Sequence, residues 1–334
     1  MRKLSAIYSQ RSFSKYPSFQ IVYEWEDILA ERLGLRILAP GEVHNIIHRR
    51  FENNGLVGLY NALLPASDLK LHFIMEAEDR RQCNYNKNTI PVIIDFWLDE
   101  SRLPGFYDAF KNVPLMLVTS REVYEFLLAH NCPIPVEHWA LSYPDQYAFR
   151  ESCLENKKYD FVFFGRPNPF FVRYVERYAS EHKDFVYILN NGNIDDRKYF
   201  DNEGNVVATD CGRQSYLDMI RSARITCYST PGIDESKSIT NAFNQVTPRV
   251  FEFLCNGCKV IGHYSDNPDT RWYNLSSVVP NVDTYKEFET VLDAMRTGSF
   301  ESPSVSAFMQ KHYTSVRANE LIQILRRHMI ELAI

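Results

Sequence analysis

What most constrains the fold of this chain is an order of patterns. Short apolar runs alternate with helix-periodic stretches along its length, in two series with a break between them. Buried runs separated by amphipathic helices call for parallel strands covered by helices, hence α/β layers and not segregated elements. In the first series the runs are LRILA, LKLHFIM, PVIIDFW and PLMLVT. Between them FQIVYEWEDILAERLG sets Ile21, Trp25, Ile28 and Leu29 on one helical face and ends at Gly34, a C-cap residue type. SREVYEFLLAHN follows PLMLVT with Ser120 as its N-cap. The stretch PIPVEHWALSYPDQYAFRESCLENKK is rich in proline and charge and weak in periodicity, so it reads as a linker with a boundary near 145–157.

Alternation then restarts. YDFVFFG, DFVYILN, RITCYS and CKVIGHY are strand-like, and PFFVRYVERYASEH, RQSYLDMIRSA and VTPRVFEFLCNG are helix-like. A length of 334 residues suits two such units, because single cores stop growing beyond about 250–300 residues. The reading is a domain over 1–150, a second over 151–310, and a closing helix over 311–334. No internal repeat of 20–50 residues interrupts this scheme.

Composition removes several functions. A net charge of −5 supplies no global basic field for a nucleic-acid backbone, although a local phosphate pocket is compatible with it. No stretch approaches the roughly 20 apolar residues of a membrane span, and the opening MRKLSAIYSQRSFSKYPS lacks the apolar core of a signal peptide. Seven scattered cysteines fit a reducing compartment. These three observations give the expectation of a cytoplasmic protein. The aromatic share of 14% is read mainly as core, with sugar stacking as the minor alternative.

Absent motifs narrow the chemistry further. There is no G-x-G-x-x-G, no P-loop and no G-x-S-x-G elbow. His44 and His48 stand in HNIIH, which lacks the glutamate of a zinc protease, and Cys255-x-x-Cys258 has no second ligand pair nearby, so no metal site is assigned. Asp-x-Asp, a metal-diphosphate anchor, does not occur.

The segment that carries chemistry is Thr247-Pro-Arg-Val-Phe-Glu-Phe-Leu-Cys-Asn-Gly257, ahead of the strand CKVIG. Thr247 suits an N-cap, Pro248 the first helical position and Gly257 the C-cap. A cation in the first turn opposes the helix dipole, so Arg249 makes sense there if an anion sits in front of it. Glu252 falls one turn on, placed to accept hydrogen bonds from ribose hydroxyls. The plainer alternative is an intrahelical Arg249–Glu252 surface pair.

TPRVFEFLCNGCKVIG resembles the donor-binding helix of bacterial GT-B-fold glycosyltransferases, in particular group 1 enzymes and CgeB-like relatives, with their Arg-x-x-Glu and Cys-Gly-type ending. YDFVFFGRPNPFFVR is similar to the strand and loop that open their C-terminal domain. The segments VTSREVYEFLLAHNCPIPVEHWALSYP and YTSVRANELIQILRRHM are similar to the end of their N-terminal domain and to their returning C-terminal helix. The resemblance covers the C-terminal half and the end of the N-terminal half; residues 1–90 carry no motif of it. It implies an α/β chain with two Rossmann-like domains facing a central cleft. It further implies sugar transfer from a nucleotide-diphosphate donor to a glycan or glycolipid acceptor, as in bacterial surface polysaccharide synthesis. The nucleotide-sugar is then substrate, and no cofactor or metal is called for. Gly165, Arg166, Arg173, Arg249 and the Thr247 end of the helix would hold the diphosphate and Glu252 the ribose. Tyr228, in the loop Tyr228-Ser-Thr-Pro-Gly232, and Asn244 would shape the sugar pocket. Asn244 occupies the place, eight residues before Glu252, where group 1 enzymes have a second glutamate. Those relatives retain configuration; for an inverting reaction the candidate bases are Asp95, at the end of PVIID, and Glu76, at the end of HFIME.

Two rivals stay open at this level: a nucleotide-sugar epimerase or phosphorylase on the same architecture, and a catalytically silent module that binds glycans or a partner enzyme. The closing ELIQILRRHMIELAI is amphipathic, suited to packing on the other domain or, less simply, to skimming a membrane that carries lipid-linked acceptors.

Overall fold

A computed structural model describes residues 2–12, 17–39, 56, 59, 67–77, 86–192, 197–209, 212–235 and 240–333. The pair His44 and His48 lies outside the described residues. The chain divides into two compact units. The first comprises Met1–Asp145, Ser238–Gln245 and His312–Ile334, the second Gln146–Lys237 and Val246–Lys311.

The described part of the first unit is a parallel sheet under helices. Its strands are β1 (Arg2–Tyr8), β2 (Arg36–Leu38), β3 (Leu69–Glu76), β4 (Thr89–Asp95), β5 (Met116–Val118) and β6 (Val136–His138). They are completed by a strand from the chain end, Ile330–Leu332, giving the order Ile330–Leu332, β1, β3, β4, β5, β6, with β2 beside β1. All these pairings are parallel. Strand β4 is buried from Thr89 to Ile94, as a strand covered on both faces must be. The helices are α1 (Pro17–Leu33), α2 (Leu103–Phe110) and α3 (Arg121–Ala129). Ser120 caps α3, its side chain accepting from the Val123 N–H at 3.2 Å. Phe96, Phe106, Phe110, Val118 and Leu127 form part of one apolar cluster here, and Phe243 joins it.

The second unit follows the same logic with a different edge. Strands β7 (Tyr159–Val162), β8 (Tyr187–Asn190), β9 (Lys198–Asp201), β10 (Val206–Thr209), β11 (Ala223–Ser229) and β12 (Lys259–His263) lie in the order β10-β9-β8-β7-β11-β12. The four strands β8, β7, β11 and β12 run parallel, and the β9–β10 hairpin adds an antiparallel edge. Helices α4 (Pro169–Glu181), α5 (Arg213–Ser222), α6 (Arg249–Cys255), α7 (Pro268–Tyr273), α8 (Tyr285–Thr297) and α9 (Ser302–Met309) cover it. The hairpin had no expectation in the sequence. Its turn is written in Asp201, whose carboxylate accepts from the N–H groups of Glu203 and Asn205 at 3.0 and 2.8 Å.

Helix α10 (Thr314–Arg327) returns to the first unit, where it packs on α1. Arg317, 1% exposed, staples it. Its Nε donates to the carbonyls of Ala140 and Leu141 at 3.1 and 3.3 Å, Nη2 bonds His312 Nδ1 at 2.8 Å and Nη1 pairs with Glu320 at 2.7 Å. The expected closing helix over 311–334 is corrected here. It ends at Arg327; Met329 turns in the left-handed region at φ 54°, and Ile330–Leu332 becomes strand β13 beside β1. An open strand edge offers Ile330 ladder bonds that a last helical turn cannot. The apolar face of α10 (Ala318, Leu321, Ile324, Leu325) is buried, as expected for a helix that packs on its own unit. Among the described residues no helix is long and apolar enough to cross a membrane.

Candidate functional site

The carboxyl end of β7 is where the expected residues converge. Past Val162 the chain runs through buried Phe163 and Phe164 to Gly165, which adopts φ 67°. The Arg249 guanidinium lies directly against this glycine. A Cβ at position 165 would come within 2.6 Å of Nη2, 2.7 Å of Nη1 and 2.8 Å of Cζ. Glycine is therefore required twice, by the backbone angle and by the close approach of the arginine. Arg166 follows at once, exposed, and Arg173 stands exposed on α4. None of Arg166, Arg173 and Arg249 has an ion-pair or hydrogen-bond partner among the described residues. Two neighbouring cations without carboxylates favour an anionic ligand electrostatically, and guanidinium geometry matches phosphate oxygens.

Helix α6 is built differently from its sequence expectation. Its N-cap is Pro248, without a side-chain cap bond, and the Thr247 hydroxyl does not cap it. The Thr247 N–H donates to the Tyr228 hydroxyl at 2.9 Å, and the Val246 N–H to Asp269 at 3.1 Å. Only the N–H groups of Arg249 and Val250 stay without partners among the described residues, so the helix end is a smaller contributor than its capping pattern implied. Tyr228 is 2% exposed, and burial pushes its hydroxyl up to about 12. It holds the entry to α6 from inside. At the other end Gly257 turns at φ 73°, where a Cβ would meet the Cys153 carbonyl oxygen at 2.9 Å.

Glu252 is 7% exposed and carries an ion pair with Arg213, the first residue of α5. The Tyr216 hydroxyl donates to its other oxygen at 3.3 Å. Burial, then the Glu252 charge, drives that hydroxyl far above its ordinary range, with Arg249 opposing. The intrahelical Arg249–Glu252 pair therefore does not form: Glu252 turns toward α5 and Arg249 toward Gly165. Arg213 and Tyr216 were missed in the sequence, since no spacing rule links positions 39 and 36 residues apart.

The remaining candidates stand elsewhere. Asn244 belongs to the first unit; its backbone N–H donates to Glu122 at 2.8 Å and its side-chain amide to the Ala242 carbonyl at 2.9 Å. Glu76 and Asp95 end β3 and β4 and are register partners across them, Glu76 exposed and Asp95 half-buried. Cys255 and Cys258 are buried. The Cys258 thiol donates to the Ile220 carbonyl at 3.2 Å and is pushed up to about 11 by burial, against the Lys157 charge. Among the described residues no group of three or more His, Cys, Asp or Glu side chains is placed to hold a metal ion.

No protein-family model and no curated protein matches the chain. Solved structures do. A UDP-forming α,α-trehalose-phosphate synthase from Burkholderia xenovorans, solved in complex with glucose-6-phosphate, aligns over 94% of this chain and 84% of its own with a TM-score of 0.51 at 9% identity. This chain has the GT-B fold. Two further GT-B structures align less well. A pneumococcal O-GlcNAc transferase, GtfA, solved with UDP and GlcNAc, covers 83% of this chain at 9% identity and a TM-score of 0.49. This chain spans only 60% of that protein's length. The sucrose-phosphate synthase of Thermosynechococcus elongatus covers 88% of this chain and 81% of its own at 10% identity and a TM-score of 0.48. At 9% identity the likeness to the trehalose-phosphate synthase speaks for the GT-B fold and not for a substrate.

Proposed function

We propose that this GT-B chain is a glycosyltransferase that takes a sugar from a nucleotide-diphosphate donor and passes it to a glycan or glycolipid acceptor. The observation that carries the reading is the Arg249 guanidinium, without an ion-pair or hydrogen-bond partner among the described residues, seated on Gly165, which Arg166 follows. A leaving nucleoside diphosphate needs its growing negative charge compensated, and fixed guanidinium groups do this without a metal ion. Arg249 and Arg166 bind the diphosphate, with the Arg249 and Val250 N–H groups adding two donors and Arg173 a peripheral charge. Glu252, oriented by Arg213 and Tyr216, keeps lone pairs for the ribose hydroxyls, since a carboxylate offers about four acceptor sites. Tyr228 and Thr247 set the shape of this wall from behind.

The group 1 resemblance favours retention of configuration, in which case no base is needed. For inversion the paired strand ends supply Asp95 or Glu76. Surface polysaccharide synthesis at the cytoplasmic face of a membrane is the setting this reading favours. The test is a thermal-shift and calorimetric screen with uridine, guanosine, thymidine and cytidine diphosphates. At 100 times its dissociation constant a ligand adds about 2.7 kcal/mol, so one diphosphate should raise the melting temperature and Arg249→Ala should abolish the rise. A screen in which none of the four shifts the wild type, or in which Arg249→Ala responds as the wild type does, overturns the assignment.

A further inference from the structure

A second convergence of loops at the carboxyl ends of the second sheet has no role in the reading so far. His263 ends β12 and is 5% exposed. Its ring stacks on Phe170 at 3.8 Å between centroids and 4° between planes, with Phe171 edge-on. Nε2 meets Asp234 Oδ2 at 2.9 Å. Nδ1 meets the Val282 carbonyl at 2.9 Å and Asp283 at 3.3 Å. A carbonyl and a carboxylate can only accept, so both contacts are complete only when each nitrogen carries a hydrogen. The described ionisable groups against the ring are Asp234 and Asp283; α4 adds only the two phenylalanines.

Asp234 lies in the loop after β11 and adopts φ 56°, ψ 23°, a left-handed conformation inside a short 3-10 turn. Its Oδ2 also accepts from the Asn168 side-chain amide at 3.5 Å, so one oxygen serves loops from three strand ends. Asn168 is itself fixed, capping α4 by accepting from the Phe170 N–H at 2.9 Å. The side chain of Asp234 is 45% exposed, and its Oδ1 has no partner among the described residues.

We propose that His263 is a positioning residue: doubly hydrogen-bonded, it clamps Asp234 and with it the loop after β11, leaving one carboxylate oxygen available to a hydroxyl-bearing ligand. That the ligand is the donor sugar rests on the transferase reading; the clamp itself does not.

Hydrogen exchange of the 230–234 backbone, compared between wild type and two variants at one pH, tests the clamp in the full chain. Asp234→Asn, at a half-exposed site, should accelerate exchange in that loop about tenfold, the loss expected for one charge-assisted hydrogen bond; His263→Gln should match it where it folds. Exchange that is indifferent to Asp234→Asn overturns the clamp. Kinetics then separate the two readings. Asp234→Asn should raise KM for the donor with nucleoside diphosphate affinity unchanged; a loss of diphosphate affinity, or an unchanged KM, removes the ligand role. A wild type that turns over no nucleotide-sugar sinks the transferase reading and leaves the exchange result to judge the clamp.

Discussion

The close approach of Arg249 to Gly165 allows a test in which stability and ligand binding are read separately. In Gly165→Ala the new methyl must sit within 2.6 Å of Nη2, a distance that real contacts do not reach. The guanidinium is the flexible end of a side chain, so it moves and the backbone does not. Alanine at φ 67° also costs about 1–2 kcal/mol of left-handed strain. For a unit of this size that corresponds to a melting-temperature drop of very roughly 2–8 °C. A hydrogen bond between charged groups contributes about 1.5–3 kcal/mol, so displacing Arg249 should weaken nucleoside diphosphate binding roughly 10- to 150-fold. Calorimetry on wild type, Gly165→Ala, Arg249→Ala and the double variant gives a cycle. In the Arg249→Ala background Gly165→Ala should keep its stability cost and lose its effect on binding. An equal loss of affinity in both backgrounds would mean that glycine acts through the backbone and not through the arginine, and the reasoning would fail.

Other expectations follow from buried charges. Glu252→Gln removes one partner of a buried ion pair, which costs about 3–5 kcal/mol; urea unfolding should show that loss, and Arg213→Met added to it should recover part of it. Glu26 is 1% exposed at the end of a network with Ser9 and Arg11. Burial raises it to about 7, against the hydrogen bonds from Ser9 and Arg11. The folded state thus binds this proton more tightly than the unfolded chain, so stability is fullest below pH 4.5 as regards this group and falls as pH rises toward 7, by at most about 3 kcal/mol. Thermal melts from pH 5 to 8 should flatten in Glu26→Gln, and an identical slope in both proteins would refute the link. Arg317→Met leaves the Ala140 and Leu141 carbonyls without their donor, and the first unit should lose about 1–3 kcal/mol for each group left unsatisfied, readable as a lower urea midpoint.

Much of the second unit was legible because its elements are local. VTPRVFEFLCNG, RITCYS and CKVIGHY became α6, β11 and β12 nearly as written, and Gly257 turned where the pattern placed it. Arg249 drew notice because a cation at a helix start asks for an explanation; Arg166 was singled out only through the family resemblance. What escaped was pairing at a distance. Nothing near Glu252 announces Arg213, and nothing near the opening RKLSAIY announces that it becomes a strand with Ile330–Leu332 on one side and Leu69–Glu76 on the other. Asn244 was assigned from its spacing to Glu252. Spacing along the chain is blind to the step after Gln245, where the chain passes from the first unit to the second.

That passage has a practical side. The backbone changes unit after Asp145, Lys237, Gln245 and Lys311. No single cut can release the first unit with its sheet and core intact: a fragment ending at 145 lacks the strand that closes one border of its sheet and the phenylalanine that fills its aromatic cluster. Grafting the first unit onto a foreign partner therefore means exchanging three pieces together, and natural recombination at a single junction would yield chains that cannot complete that unit's core.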